Sequence, residues 1–320
     1  MAFNDELVFG EAQREKVALK LCLSGVTGAG KTMGALIIAK GMLSEKYPTL
    51  SEVDIWKKIA IIDTENRSGS LYVNYKKDDV VIGKYNTVNI SAPFSPARYI
   101  QAMQMCEDND IEVCIIDSLS HAWTGQGGLL DKHNDASKKA GTNSYTAWRD
   151  ITPLHNKLVD KILQSEMNVI VNLRSKMEHV MEQENGKTVI KKVGMSSIFR
   201  DGIEYEFTMC FDIDNSHTTF ASKDRSGIFD QRSFVIDKET GKLITRWLNE
   251  GEVVIEKKET ISPEDMLDFI VTTLRSDIEE DKKAELKEIF KTNGVKSLTD
   301  ATATDYDVLL LTYSEFKKAV

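Results

Sequence analysis

Long apolar runs are missing from the sequence. None of its hydrophobic stretches approaches the roughly 18 residues needed to cross a bilayer. The first 16 residues, MAFNDELVFGEAQREK, show no basic start followed by an apolar core. We therefore expect neither a membrane span nor a signal peptide, and a protein that stays in the cytoplasm where it is made.

Cysteines are also few. Cys22, Cys106, Cys114 and Cys210 lie far apart, with no CxxC pair. Neither these four residues nor the histidines have the spacing of a zinc site. Reduced and mostly buried thiols are expected, as is usual in a cytosolic protein.

The chain has no excess of positive charge. It contains 41 Lys and Arg against 50 Asp and Glu, a formal net charge of −9. This balance argues against a broadly basic domain that coats DNA, but leaves room for a local basic groove.

Strand-like and helix-like patterns alternate through the first two thirds of the chain. The apolar runs are rich in Val and Ile, and several lack clean two-residue alternation, as expected for strands covered on both faces. Strand–helix alternation predicts an α/β fold with a mainly parallel sheet flanked by helices. The strand candidates are 17–24, 58–63, 85–90, 111–117 and 168–173, and the helix candidates are 30–45, 96–109 and 145–166.

The pattern changes from about residue 176. Asn185-Gly186 is a strong turn signal and predicts a hairpin, followed by strands near 205–213 and 217–222 and a short helix near 228–235. A charged, linker-like segment follows residue 250, and Ser262-Pro263 begins a new helical pattern. We expect a large domain over 1–255 and a small, acidic, helical C-terminal module over 256–320, with a helix stop at Asn293-Gly294.

The first strand runs into 25-GVTGAGKT-32, and a helix follows. This is the G-x-x-x-x-G-K-[ST] phosphate-binding loop (P-loop) in its required context. Its backbone N–H groups and the helix N-terminus favour phosphate, Lys31 would neutralise the β- and γ-phosphates, and Thr32 would coordinate Mg²⁺. The residues predicted to bind the nucleotide are Gly25, Val26, Thr27, Gly28, Ala29, Gly30, Lys31, Thr32 and Met33.

Asp117 ends the apolar strand 111-IEVCIID-117. A carboxylate at that strand end can hold Mg²⁺ through water; the alternative is a cap for the next helix. The following residue is Ser118, whereas AAA+ motors usually place the catalytic glutamate directly after this aspartate. That position counts against the AAA+ branch.

A catalytic base must then come from another strand. Asp63 and Glu65 follow the run 58–63 next to a glycine-bearing loop. A glutamate there could orient and deprotonate the attacking water. From spacing alone, a solvated carboxylate at a strand end is an equal alternative.

The motifs GVTGAGKT, IIDTE and VCIIDSLS, in this order, resemble the RecA superfamily core. The segments 59-IAIIDTENRSGSLY-72, 115-IIDSLSHAW-123, 170-IVNLRSKMEHV-180 and 199-FRDGIEYEF-207 resemble phage-encoded ATPases of the Sak type, over roughly residues 15–250. The resemblance implies an ATPase that uses ATP and Mg²⁺, with Glu65 as the base. It further implies action on single-stranded DNA in homologous recombination, annealing or replication, inside the host cell.

The resemblance also gives roles to basic residues. The loop after the strand 168–173 would face DNA, with Arg174, Lys176, Lys191 and Lys192 as DNA-binding candidates. Ordinary solvated hairpin lysines are the alternative. A sensor of the γ-phosphate would lie near Asn172, Leu173 or Arg174, and the sequence does not decide among them.

Lys223 and Arg225 lie in 221-ASKDRSG-227. They resemble residues that reach the ATP of a neighbouring subunit, where a cation stabilises the charge developing on the γ-phosphoryl group. The alternative is a plain turn with surface charges. The trans arrangement implies self-association as a filament or ring, and a single-strand-binding protein is a further expected partner.

Aromatic residues flank the connection after Asp117. Trp123, Tyr145 and Trp148 could stack on single-stranded bases, but packing of a helix onto the sheet is the favoured interpretation. The glycine-rich piece 125–128 predicts a mobile loop.

Two other functions fit a P-loop. One is a helicase or helicase loader that works mainly through protein partners, with the C-terminal helices as a docking module. The other is a small-molecule kinase, which is disfavoured because no arginine-rich lid is visible.

Overall fold

The computed structural model describes residues 11, 14, 16–77, 80–138, 143–184, 187–250, 263–275, 280–292 and 312–313. The chain divides into two compact units, residues 1–253 and 254–320. The predicted boundary at 255/256 lies outside the described residues.

The first unit alternates strands and helices along the chain. Its strands are β1 (Lys20–Gly25), β2 (Ile59–Asp63), β3 (Lys76–Lys77), β4 (Val80–Val81), β5 (Asn86–Asn89), β6 (Val113–Asp117), β7 (Asn168–Glu184), β8 (Lys187–Ser197), β9 (Met209–Ile213), β10 (Thr218–Asp224) and β11 (Ser233–Val235). Its helices are α1 (Lys31–Lys46), α2 (Glu52–Lys57), α3 (Pro96–Glu107), α4 (Ser120–Thr124), α5 (Leu129–Ser137), α6 (Ser144–Gln164) and α7 (Lys238–Leu248). Short 3₁₀ turns lie at Ser68–Tyr72 and Ile203–Glu206.

The main sheet has the strand order β11-β10-β9-β1-β7-β6-β2-β5. Pairing is parallel from β9 to β5, while β10 and β11 join antiparallel at the β9 edge. The predicted α/β class with a mainly parallel sheet is confirmed. Because parallel strands point toward the same edge, the residues that follow β1, β2 and β6 are brought together there, beside Arg174 of β7.

Helices cover both faces of this sheet. In β1, Cys22 belongs to the apolar cluster under α3 and α6, whereas Leu21 and Leu23 belong to the cluster under α1 and α7. This alternation follows from the two-residue period of a strand. It explains why the central strands are apolar at nearly every position, since both faces are buried.

Reciprocal capping pairs begin two of the helices. Asn143 and Thr146 exchange side-chain and backbone hydrogen bonds at the start of α6, and Asp237 and Thr240 do the same at α7. Each reciprocal pair satisfies N–H groups that the first helical turn leaves free.

The predicted short helix near 228–235 is wrong. The backbone N–H groups of Ser226 and Phe229 donate to the carboxylate of Asp224, which fixes a turn. The chain then forms β11, and the helix begins only after the Asp237 cap. A local side-chain-to-backbone contact therefore overrides the apolar pattern.

Helix α7 packs closely against α1 through two glycines. A Cβ added to Gly41 would collide with the carbonyl oxygen of Lys238, and one added to Gly241 would collide with that of Ile38. This approach fixes α1, the helix that begins at the phosphate-binding loop.

β7 extends beyond the sheet as the predicted hairpin with β8, pairing from Ser175↔Ser197 to Glu184↔Lys187. The turn residues Asn185 and Gly186 lie outside the described residues. The four cysteines are buried and unpaired, as expected. In the C-terminal unit, α8 spans Pro263–Arg275 and α9 spans Glu280–Thr292, and the predicted stop at Asn293-Gly294 lies outside the described residues.

Candidate functional site

The predicted phosphate-binding loop joins β1 to α1. Gly28 and Gly30 have φ angles of 86° and 91°, in the left-handed region that favours glycine. Gly30 is the residue from which α1 begins. The loop therefore has the glycine conformations, and ends on the helix N-terminus, that a phosphate site requires.

Lys31 lies folded across this loop. Its Nζ donates to the carbonyl oxygens of Gly25 (2.8 Å) and Val26 (2.9 Å). Burial lowers the pKa of Lys31, while the carboxylates of Asp117 and Glu65 act in the opposite sense. A buried ammonium held only by neutral carbonyls gains a stronger partner when phosphate enters.

Thr32 and Asp117 face each other across the strand ends. The Thr32 hydroxyl donates to Oδ2 of Asp117 over 2.5 Å, and Asp117 is 3% exposed. Burial raises the pKa of this carboxyl, the hydrogen bond from Thr32 lowers it, and Glu65 raises it further.

Two oxygen ligands of this kind are what a protein commonly gives to Mg²⁺, the rest being phosphate and water. The described residues contain no cluster of three or more His, Cys, Asp or Glu that could hold a metal alone. Thr32 and Asp117 thus fit a metal that arrives with a nucleotide.

Glu65 is held beside Asp117 by its neighbours in the chain. The buried Asp63 accepts the backbone N–H groups of Glu65 (2.7 Å) and Gly69 (2.8 Å). The N–H of Thr64 donates to the carbonyl oxygen of Asp117 (2.7 Å). The structure therefore brings Glu65, Asp117 and Lys31 to one edge of the sheet, although they come from three strands.

Glu65 also has a partner that sequence reasoning missed. Nε of Arg174 lies 2.9 Å from Oε1 of Glu65, and its NH2 nitrogen lies 2.8 Å from the same oxygen. Arg174 pairs in register with Gly25, and its N–H donates to the Ser120 hydroxyl. No spacing signal links residues 109 positions apart. Only the strand order β7-β6-β2 brings Arg174 close to the residues that follow β2.

Asn172 lies opposite Asp117 in the register of β6 and β7. Its side chain is fully buried, and neither polar atom makes a hydrogen bond of normal geometry among the described residues. The amide nevertheless lies close enough to lower the pKa of Asp117 somewhat. Leu173 is buried in the apolar core. Of the three sensor candidates, Asn172 has the unused polar atoms next to the metal-ligand pair.

An apolar pocket of about 420 Å³ adjoins the loop. Thr219 lines it, fully buried, and its hydroxyl has no hydrogen-bond partner among the described residues. His217 lies at the boundary with the loop, its Nδ1 3.0 Å from the carbonyl oxygen of Ala29. Besides Thr219 and His217, the lining of the pocket includes Gly30, Met33, Gly34, Tyr75 and Ile236. Sequence reasoning predicted Ala29, Gly30 and Met33 of this lining. It missed the rest, which lie outside the phosphate-binding motif.

Lys223 and Arg225 lie away from this site. Lys223 pairs with Cys210 and the next residue pairs with Met209, at the edge opposite the one where β1 enters the loop. Nζ of Lys223 donates to the carbonyl oxygen of Tyr205 (2.5 Å). Neither residue is brought together with the loop of its own chain.

The DNA-binding candidates lie on the hairpin. Arg174 is at its base, and Lys176 is exposed two residues further along β7. Lys191 and Lys192 lie on β8, where their backbones pair with Val180 and His179. Their side chains lie outside the described part of the structure.

The aromatic candidates divide into two groups. Trp123 and Trp148 stack with ring centroids 5.7 Å apart, and His133 stacks on Trp148 at 4.2 Å. This agrees with the favoured packing role, whereas Tyr145 is 88% exposed.

The glycine piece 125–128 is held in place. The carbonyl oxygen of Gln126 accepts from Phe94 N–H (2.8 Å), and Gly127 N–H donates to Asp131 (2.9 Å). The prediction of a mobile loop does not fit these contacts.

None of the helices in the described part of the chain combines the length and apolar character that a bilayer span requires. No curated protein matches the chain at a significant level. A model of the family described as AAA domain matches residues 18–245. The match contains both the phosphate-binding loop and Asp117, although Ser118 stands where AAA+ motors usually carry glutamate. The chain belongs to this AAA domain family of P-loop NTPases.

Proposed function

We propose that the chain hydrolyses ATP in a Mg²⁺-dependent reaction coupled to single-stranded DNA. The observation that carries the hydrolysis is the convergence of Lys31, the Thr32–Asp117 pair and Glu65 at one sheet edge. Nucleotide binding alone would need only Lys31, Thr32 and Asp117. Hydrolysis also needs a group that activates water, and the Glu65 carboxylate beside them can do this.

The roles follow from the chemistry of each side chain. Lys31 leaves the carbonyls of Gly25 and Val26 for the β- and γ-phosphates. Thr32 and Asp117 hold Mg²⁺, which supplies positive charge to the phosphate oxygens. Glu65 orients a water in line with the γ-phosphorus and takes its proton.

Asn172 completes the polar lining. An amide buried without partners costs about 1–3 kcal/mol. A terminal phosphate or its bound water would satisfy this amide, so we assign Asn172 the γ-phosphate sensor role.

The apolar pocket beside Met33 suits the nucleobase of the bound nucleotide. Its volume of about 420 Å³ lies in the range of small-molecule sites. An adenine ring would lie against Met33 and Ile236, and the Thr219 hydroxyl would form a hydrogen bond to the polar edge of that ring. This arrangement supports a purine nucleotide as the substrate.

The DNA partner and the assembly rest on other features. The similarity to Sak-type ATPases and the exposed Lys176 on the hairpin support single-stranded DNA. The distance of Lys223 and Arg225 from their own loop supports action on a neighbour's nucleotide, in a filament or ring. Recombination or annealing in the host cytoplasm, with a single-strand-binding protein, is the corresponding role.

One observation favours a different partner. The C-terminal residues form a separate compact unit, as a docking module of a helicase or helicase loader would. Such a motor would hydrolyse ATP at the same site but depend on a protein rather than on DNA.

Phosphate release by the full chain distinguishes these functions. We expect hydrolysis of ATP with Mg²⁺ that increases when oligothymidylate is added. Hydrolysis indifferent to oligothymidylate favours the protein-dependent motor. Phosphate transfer to a metabolite with no release to water contradicts the ATPase proposal.

A further inference from the structure

A second pocket is lined by Glu65 but by no residue of the phosphate-binding loop. Its volume is about 420 Å³, and its lining comes from the residues after β2 and β5, from α4 and from β7. The residues that matter in its lining are Thr64, Glu65, Asn66, Phe94, His121 and Arg174.

One wall of this pocket is aromatic. The rings of Phe94 and His121 stack with centroids 4.9 Å apart and an interplanar angle of 28°. Thr64 fixes the imidazole through a contact of 2.7 Å between Oγ1 and Nδ1. Burial lowers the pKa of His121, and Arg174 lowers it further. Both effects disfavour the charged imidazolium, and the wall is an aromatic surface suited to stacking.

The charge of the pocket is a single ion pair. Among the described residues that line it, Glu65 is the one acid and Arg174 the one permanent cation. Both contacting nitrogens of Arg174 reach the same oxygen, Oε1, so the pair is not of the two-oxygen fork type. The Arg174 side chain is 39% exposed and the Glu65 side chain 28%. Pairs with this exposure and geometry are weak and easily exchanged.

A phosphodiester is a better partner for Arg174 than Glu65 is in this geometry. It offers two oxygens to the planar guanidinium. A base attached to that phosphate has a π-face for the Phe94–His121 wall, and such stacking tolerates any base. The exposed Lys176, two residues further along β7, continues the positive charge beyond the pocket.

We propose that this pocket binds one nucleotide unit of a single-stranded nucleic acid, whose phosphodiester takes Arg174 away from Glu65. In the absence of that ligand, Arg174 holds Glu65 by its Oε1. When the ligand binds, Glu65 is released toward the attacking water. The inference rests on the proposed ATPase function, because it assumes that Glu65 is the base.

The test begins with the rate of ATP hydrolysis by the full chain without nucleic acid. Arg174→Gln removes the ion pair, and we expect the basal rate to rise about fivefold, the worth of an exposed pair. Stimulation by oligothymidylate should be lost at the same time. The exposed Arg149 on α6 offers a matched control, and Arg149→Gln should show wild-type rates and stimulation.

Two further measurements identify the ligand. Phe94→Leu should raise the oligothymidylate concentration needed for half-maximal stimulation by about tenfold, since stacking on the wall is weakened. An abasic deoxyribose-phosphate oligomer should stimulate only at higher concentration than oligothymidylate of the same length. Equal stimulation by polyglutamate would overturn the assignment to nucleic acid.

Each result for Arg174→Gln decides the matter, provided that thermal unfolding and binding of a fluorescent ATP analogue show an intact fold. An unchanged or lower basal rate overturns the inference. A higher basal rate with full stimulation retained shows that the ligand binds elsewhere and also overturns it. If Glu65→Gln leaves hydrolysis intact, the proposed function itself fails, which is a separate outcome.

Discussion

Arg174 and Glu65, 109 positions apart, form an ion pair at the carboxyl edge of the sheet, with Nε 2.9 Å from Oε1. The resemblance to RecA-like ATPases implies a DNA contact for Arg174 and water activation for Glu65. Their contact joins the two roles physically, because a group that engages Arg174 changes the surroundings of Glu65.

Replacing Glu65 by Gln should separate binding from hydrolysis. The amide keeps the size of the side chain but cannot accept the proton of water, so we expect the turnover number to fall about 10²- to 10⁴-fold. Binding of a fluorescent ATP analogue should persist. The exposed Glu166 lies on the connection into β7, away from the site, and Glu166→Gln should leave both unchanged. Loss of binding in Glu65→Gln would speak against its role as base.

Mixing two inactive variants should restore activity if Arg225 acts on a neighbour's nucleotide. Arg225→Ala alone should lose about 10³-fold or more in turnover, as loss of an arginine finger does. In an equimolar mixture with Glu65→Gln, about a quarter of the interfaces of a cyclic or helical assembly regain both groups. Phosphate release from the mixture should therefore exceed that of either variant. No recovery at any ratio would exclude the trans role.

Thr219 should show opposite effects on stability and on binding. Its buried hydroxyl has no hydrogen-bond partner in the part of the chain that the structure describes, so Thr219→Val should raise the free energy of unfolding without nucleotide by about 1 kcal/mol. The same change should weaken ATP binding severalfold if the hydroxyl forms a hydrogen bond to the adenine ring. Thr218 is the natural control, because its hydroxyl lies 3.0 Å from that of Ser216. Thr218→Val should not stabilise the protein, and tighter ATP binding by Thr219→Val would contradict the assigned pocket.

Gly241→Ala should destabilise the first unit by forcing α7 away from α1. The added methyl group would meet the backbone oxygen of Ile38, which cannot rotate aside. We expect a loss of about 1–3 kcal/mol in the free energy of unfolding, measured with urea. Lys238→Ala, an exposed change on the same helix, should stay within about 0.5 kcal/mol of wild type. Equal stability of both variants would show that the helices can separate without cost.

Lys20 should make stability depend on pH in the alkaline range. Burial lowers its pKa from 10.5 to about 8, and its Nζ donates to the carbonyl oxygens of Ser165 (2.7 Å) and Met167 (2.8 Å). Between these pKa values the unfolded chain binds more protons than the folded one, so stability rises with pH from about 8 to 10.5. The full gain is about 3 kcal/mol.

Urea unfolding at several pH values measures this effect. The unfolding free energy of wild type relative to that of Lys20→Met should rise between about pH 8 and pH 10.5. Lys57 is an exposed lysine paired with Asp54, and Lys57→Met should run parallel to wild type. A constant difference for Lys20→Met would refute the assignment.

The sequence by itself determined the α/β class, the phosphate-binding loop and the strand ends that carry Asp117 and Glu65. These are local signals: glycines at fixed spacing, apolar runs and the polar residues that end them. The same local reasoning failed at 228–235, where the Asp224 turn and the Asp237 cap set the structure instead.

Only the tertiary structure decided which distant residues meet. The strand order places Asn172 and Arg174 between the phosphate-binding loop and Asp117, and it sends Lys223 to the opposite edge. It also assembled the pocket around Thr219 and the stack of Phe94 on His121 from segments without motifs. Periodicity and spacing describe neighbours along the chain, whereas these contacts depend on strand order and register, which are set by burial on both faces of the sheet.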